Sequence, residues 1–177
     1  MTRCDMELAA DIHRVAHITG RFRLRSGLTA DRYFDKYRFE SDPALLGRIA
    51  DALVPHIPDG IDALAGLELG GVPIATVLAQ RTGKPALFVR KKPKEYGTLR
   101  LAEGGDVEGR RLLIVEDVIT TGGQILESTG ALRDLGADVS HALVVIDRLQ
   151  CGSANLQAHG IELRALHSIE ELERAGA

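Results

Sequence analysis

The stretch that most restricts how this chain can fold is Arg111-Leu112-Leu113-Ile114-Val115-Glu116-Asp117-Val118-Ile119-Thr120-Thr121-Gly122-Gly123. It opens with an unbroken apolar run, Leu112 to Val115, short and rich in branched side chains. Such a run reads as a strand covered on both faces, as in parallel sheets. Glu116 and Asp117 stand where that strand is expected to end, and Thr120 to Gly123 make a loop of hydroxyls and glycines. Helical spacing follows in Ile125, Leu126, Ala131, Leu132 and Leu135. In open α/β sheets, ligands bind beyond the carboxyl ends of the strands. A glycine loop feeding a helix N-terminus offers free N–H groups and a positive dipole end to a phosphate. The two carboxylates would repel a phosphate, so they suit ribose hydroxyls or a metal shared with the ligand. Together these features point to a phosphorylated sugar. The plainer alternative is two acids ending a strand before a Gly-Gly turn. The loop is no P-loop, which needs a lysine and Ser/Thr after the glycines, and no G-x-G-x-x-G loop.

Composition narrows the function classes around this site. A chain of 177 residues suggests one domain, 1–177, with a substantial core. Hydrophobic residues at 45% and charged residues at 27% are those of an ordinary globular protein. A net charge of −3 argues against a general nucleic-acid or membrane surface, so any basic site must be local. Aromatics at 4%, with no tryptophan, argue against a stacking platform for RNA. No apolar run is long enough to span a membrane, and Met1-Thr2-Arg3-Cys4-Asp5 carries no signal-peptide core. Cys4 and Cys151 have neither framework nor metal-ligand spacing, so a reducing, cytoplasmic location is expected. The six histidines are scattered and form no ligand motif.

Along the chain, Met6–Ile18 has the spacing of an amphipathic helix, ended by Gly20. Phe22 and Leu24 alternate with arginines as in a half-buried strand, Ser26-Gly27 is a turn, and Tyr33-Phe34 resumes extended structure. Asp42 before Pro43 starts a helix carrying Leu45, Leu46, Ile49 and Leu53. Ile61–Leu69 reads as a central strand, followed by Gly70-Gly71 and a helix over Val72–Gln80. Those glycines suit either a ligand-facing edge or tight helix packing. Ala86–Val89 is the next strand and runs into Arg90-Lys91-Lys92-Pro93-Lys94. A charge run is usually a solvated face. This one starts at a strand end and opens a glycine-bearing stretch, 92–110, long enough to be a lid. Val139–Ile146 is a further strand ending in Asp147-Arg148, and Ile161–His167 and Ile169–Arg174 form a last strand and helix.

The run Val115-Glu116-Asp117-Val118-Ile119-Thr120-Thr121-Gly122-Gly123 resembles the signature of type I phosphoribosyltransferases, which bind phosphoribosyl pyrophosphate (PRPP). The order F-x-L-R-S-G then Y-F-D at the start, the basic run R-K-x-x-K-x-Y-G, and the late D-R pair resemble the orotate phosphoribosyltransferases. That resemblance implies a PRPP site made of Arg90, Lys91, Lys94, Tyr96, Glu116, Asp117, Val118, Ile119, Thr120, Thr121, Gly122, Gly123 and Gln124. Among these it makes Asp117, Lys94 and Glu116 the catalytic group. Leu69, Gly70 and Gly71 become the pyrophosphate loop, and Arg25, Tyr33, Phe34, Thr120 and Arg148 the orotate site. An arginine fork is the right tool for a planar carboxylate. Gly70 stands where some relatives carry a lysine, so positive charge must come from elsewhere.

The expected fold is therefore α/β: a single domain with a mostly parallel central sheet flanked by helices. A small N-terminal hood (1–40) and a mobile lid loop (92–110) complete it. The expected function is transfer of phosphoribosyl from PRPP to orotate, giving orotidine 5′-phosphate and pyrophosphate in pyrimidine biosynthesis. Mg²⁺ would be held mainly by substrate and water rather than by a protein cage. The resemblance also implies a homodimer whose lids reach the partner's site. Two alternatives remain at this level: a related transferase for another base, and a non-enzymatic regulator on the same fold.

Overall fold

The computed structural model describes residues 3–23, 27–92 and 100–177. Helix α1 (Arg3–Ala16) buries Leu8, Ala9, Ile12 and Ala16. It stops short of the expected Ile18, and Gly20, expected to end it, lies inside strand β1 (His17–Arg23). The cause is strand pairing. From His17 onward the backbone runs antiparallel to β2 (Thr29–Phe34), with His17 opposite Phe34, and Asp35 N donates to Ala16 O at 2.8 Å. This hairpin is a separate two-stranded sheet, with extended structure on either side of the expected turn. A short helix, α2 (Tyr37–Ser41), follows; sequence periodicity gave no sign of it. Helix α3 (Pro43–Leu53) starts where expected, because Asp42 Oδ1 accepts from Ala44 N and Leu45 N, both at 3.0 Å.

The remaining described elements alternate strand and helix except at β4, β5 and β6, which follow one another: β3 (Ala63–Leu67), α4 (Gly71–Thr82), β4 (Ala86–Val89), β5 (Ala102–Glu103), β6 (Arg111–Ile119), α5 (Gly123–Asp134), β7 (Asp138–Asp147), α6 (Gly152–Ala158), β8 (Glu162–Ser168) and α7 (Ile169–Ala175). The central sheet has the order β5-β4-β3-β6-β7-β8 and is parallel except for β5, which runs antiparallel to β4. This is the expected mostly parallel sheet flanked by helices. Strand β6 is buried between β3 and β7. Its pleat sends Leu113 and Val115 into the cluster that holds α1, α3, α4 and α7, and Leu112 and Ile114 into the cluster that holds α5 and Leu156. Among the described residues, no helix is long and apolar enough to cross a membrane.

Three boundaries differ from the sequence expectation. Glu116 and Asp117 do not end β6; they lie within it, because β7 pairs along its whole length, from Arg111 opposite Asp138 to Ile119 opposite Asp147. The 92–110 stretch is not wholly a loop. Ala102-Glu103 pair with Val89-Phe88, and Leu101 and Ala102 are buried against the sheet edge. Finally, α6 forms after Arg148, where the sequence gave no helical period.

Candidate functional site

The site forms where β6 gives way to α5. Alternation along β6 separates its two acids. Glu116 lines a cavity of about 130 Å³ with Val118, Ile119, Thr120, Thr121, Gly122, Gly123, Gln124 and Ile125. Asp117 turns the other way and is fully buried. The sequence reading set the two carboxylates side by side on one ligand, and the structure gives them different surroundings.

Two of the groups that enclose Asp117, Lys36 and Glu40, were not selected by the sequence reading. Lys36 Nζ lies 2.6 Å from Asp117 Oδ2. Val118 N donates to Asp117 Oδ1, and Asp117 N donates to Glu116 Oε1 at 3.1 Å. Glu40, on α2, is buried beside them. Below the carboxylate sits Gly70, so near that a Cβ there would fall on Asp117 itself. A Cβ at Gly71 would strike the Val115 carbonyl oxygen. Tight packing therefore requires both glycines, whatever ligand their loop meets. Lys36 brings a positive charge to the carboxylate that fills the space above Gly70. One signal for Lys36 and Glu40 existed: their i, i+4 spacing puts both side chains on one side of a helical turn.

Electrostatics follow from this crowding. Burial pushes the Glu40 carboxyl up to about 9, helped by its bond to Asp117 and the charge there. Burial likewise pushes Glu116 up to about 8, again with Asp117 contributing. Burial works against the charge on Lys36, but its bond to Asp117 and the charges of Asp117 and Glu116 outweigh that and raise its pKa.

The loop Thr120–Gly123 leads into α5 with an exposed N-terminus. Gly122 has φ +83°, a left-handed conformation that glycine adopts freely, and no side chain caps the helix. First-turn N–H groups therefore open onto the cavity with the positive end of the helix, an arrangement suited to an anion. Helix α6 supports the loop from behind: Asn155 Nδ2 donates to Thr121 O at 2.9 Å, and Leu156 lies against Gly122. Arg148 N donates to Ile119 O at 3.0 Å, which ties the end of β7 to the same loop.

Arg148, Tyr33 and Phe34 line one cavity of about 770 Å³, together with His13, His17, Arg32 and Glu173. Leu69 is exposed, whereas Gly70 and Gly71 are buried. Arg90 is held at the end of β4, its N–H donating to Leu101 O at 2.9 Å and its side chain 3.7 Å from Glu103. Lys91 N donates to Glu68 Oε1 at 2.6 Å, joining the basic run to the Leu69–Gly71 loop. Arg25, Lys94 and Tyr96 lie outside the described residues. Among the described residues, no three His, Cys, Asp or Glu side chains are placed to hold a metal ion.

The phosphoribosyl transferase domain family matches residues 39–157. An orotate phosphoribosyltransferase from Nocardioides sp. is 55% identical over 171 residues, covering 97% of this chain and 96% of that protein. The crystal structure of Mycobacterium tuberculosis orotate phosphoribosyltransferase with Fe(III) dicitrate superposes with a TM-score of 0.86 at 33% identity, covering 96% of this chain and 98% of that one. The same enzyme in complex with 5-phospho-α-D-ribosyl 1-diphosphate gives a TM-score of 0.82 at 29% identity, covering 96% of this chain and 99% of that one. Identity at this level, spread over almost the whole length and including the strand, loop and helix that build the cavity, means that the chain belongs to the orotate phosphoribosyltransferases.

Proposed function

We propose that this chain transfers the phosphoribosyl group of PRPP to orotate, with the β6–α5 edge holding the sugar phosphate. One observation carries this reading: the uncapped N-terminus of α5 and the Glu116 carboxyl line a single cavity at the carboxyl edge of the sheet. There Thr120, Thr121, Gly122, Gly123 and Gln124 receive the 5′-phosphate through hydroxyl and backbone donors, and Val118 and Ile119 form the wall. Glu116 meets ribose hydroxyls. Asp117 keeps negative charge behind the ribose, where positive charge develops as the bond to pyrophosphate breaks. Leu69, Gly70 and Gly71 present backbone groups to the pyrophosphate, and Arg90, Lys91, Lys94 and Tyr96 meet its charge. Arg148 forks onto the orotate carboxylate in the cavity shared with Tyr33 and Phe34, with Arg25 and Thr120 bordering the base.

Mg²⁺ retains waters and substrate oxygens, so it asks this chain for room rather than for a set of ligands. The donor set around the cavity fits that, and the ion would supply neutralisation of the pyrophosphate charge. The stretch after Arg90 acts as a lid that excludes water from the reacting ribose. The working unit is a homodimer in which each lid serves the partner's site. The two cysteines, both free and exposed, suit a reducing cytoplasm.

The test is the loss of orotate absorbance on mixing protein, PRPP and Mg²⁺, with uracil, hypoxanthine and adenine in parallel. Orotate alone should be consumed, and Arg148→Ala should raise the KM for orotate while leaving PRPP binding nearly unchanged. Consumption of another base in preference to orotate would sink the proposal.

A further inference from the structure

We infer that Glu40 is a positioning residue of the reaction centre, holding Asp117 through one proton shared between their carboxyl oxygens, with Lys36 as the compensating cation. This rests on the function proposed above for Asp117. Glu40 Oε1 and Asp117 Oδ2 are both buried; Glu40 Oε1 has no hydrogen-bond donor, and Asp117 Oδ2 has only the Lys36 ammonium beside it. Both oxygens converge on one point over Gly70: Glu40 Oε1 is 3.0 Å from where a Gly70 Cβ would stand, and the Asp117 carboxylate covers that position. Two buried carboxyl oxygens brought this close repel each other unless a single proton sits between them. Lys36, 2.6 Å from Asp117 Oδ2, balances only one negative charge.

The charged groups acting on Glu40 are Asp117 and Glu116 from β6 and Lys36 from the turn before α2. Helices α1 and α3, which also pack on α2, meet it around the apolar side chain of Phe39. Three carboxyls facing one ammonium cannot all ionise cheaply in a buried site, and like charges at short range leave one acid protonated. Burial and the Asp117 charge both favour the proton on Glu40. The result is a neutral Glu40 donating to an anionic Asp117. Asp117 keeps its charge for the transition state, and its carboxylate is fixed between Lys36 and the Glu40 hydroxyl. Glu40 touches no substrate; it acts through Asp117.

Two variants and one spectroscopic measurement test this. Glu40→Gln keeps a donor at the same place and cannot ionise. Its kcat should stay within about threefold of wild type, and the fall of kcat at alkaline pH should move up or vanish. Glu40→Leu removes the donor and should lower kcat by about tenfold or more, with little change in the KM for PRPP. Infrared difference spectra of wild type minus Glu40→Gln at neutral pH should show the carbonyl band of a protonated carboxylic acid. Absence of that band overturns the inference. So does a Glu40→Gln protein that is folded, by circular dichroism, yet as slow as Glu40→Leu. If wild type itself fails to consume orotate, the proposed reaction is wrong, and the infrared band still decides whether Glu40 and Asp117 share a proton.

Discussion

Gly70 and Asp117 occupy adjoining space so tightly that the glycine's missing side chain is what makes room for the carboxylate. The loop after β3 and the middle of β6 are thereby fixed to one another, and the depth of Asp117 follows from that. Gly71 adds a second constraint on the backbone of Val115.

Gly70→Ala should displace the Asp117 carboxylate, since the alternative is to push the whole β3–α4 turn outward. Overpacking of this kind costs about 1–3 kcal/mol. Turnover should fall by about tenfold or more, a factor worth about 1.4 kcal/mol in the barrier. Urea unfolding and steady-state rates measured on the same preparation check both. Wild-type values in both would mean that the carboxylate has somewhere else to go.

Lys36→Met leaves Asp117 buried beside two other acids with no cation. Breaking a fully buried pair typically costs more, but the Lys36 side chain is 34% exposed, so about 2 kcal/mol is expected. The double variant Lys36→Met/Asp117→Asn should recover part of that loss, because the orphaned charge is gone. A double-mutant cycle in urea measures the coupling. Strict additivity would show that the two side chains do not interact in solution.

Glu40 and Glu116 make stability depend on pH in a defined direction. Their folded pKa values, about 9 and about 8, lie above the ordinary 4.5. Over that window the folded chain holds protons that the unfolded chain has released, so stability falls as pH rises. His13 and His167, lowered from 6.5 by burial, oppose this slope only at about that pH and below. Asp11 and Glu171, lowered by their bonds to Arg14 and to the Ser168 backbone, lose their contributions on the acid side. Between about pH 7 and about pH 9 the melting temperature should therefore drop. Glu116→Gln should flatten the drop, and an unchanged slope in that variant would assign the effect elsewhere.

Asn155→Ala removes the donor to the Thr121 carbonyl and with it the brace from α6. One hydrogen bond of this kind is worth about 1 kcal/mol. The expected signature is a several-fold rise in the KM for PRPP with orotate affinity unchanged. Titration calorimetry with each substrate separates the two, and equal weakening of both would point to a general loss of fold.

The strand, loop and helix from Arg111 onward were legible because each carries a local signal: a branched apolar run, paired glycines, and apolar residues at helical spacing. The extension of β6 through Glu116 and Asp117 was not. Two adjacent acids look like the end of a strand unless the chain is known to bring Lys36 and Glu40 over them, and that contact joins segments far apart in sequence. Helix α2 and strand β5 are too short to show a period, and the Gly-Ser-Ala-Asn start of α6 reads as a turn. Tyr33, Phe34 and Arg148 were named from family likeness, and the fold does set them around one cavity.

Strand β5 has one more consequence. Because Arg90 N–H bonds to Leu101 O, the two ends of the stretch between them are held together at one point. Its length is then nearly free of thermodynamic consequence: doubling it would cost about 0.6 kcal/mol of chain entropy. Evolution, or an engineer, can rewrite those residues for a different anion without retuning the rest of the molecule.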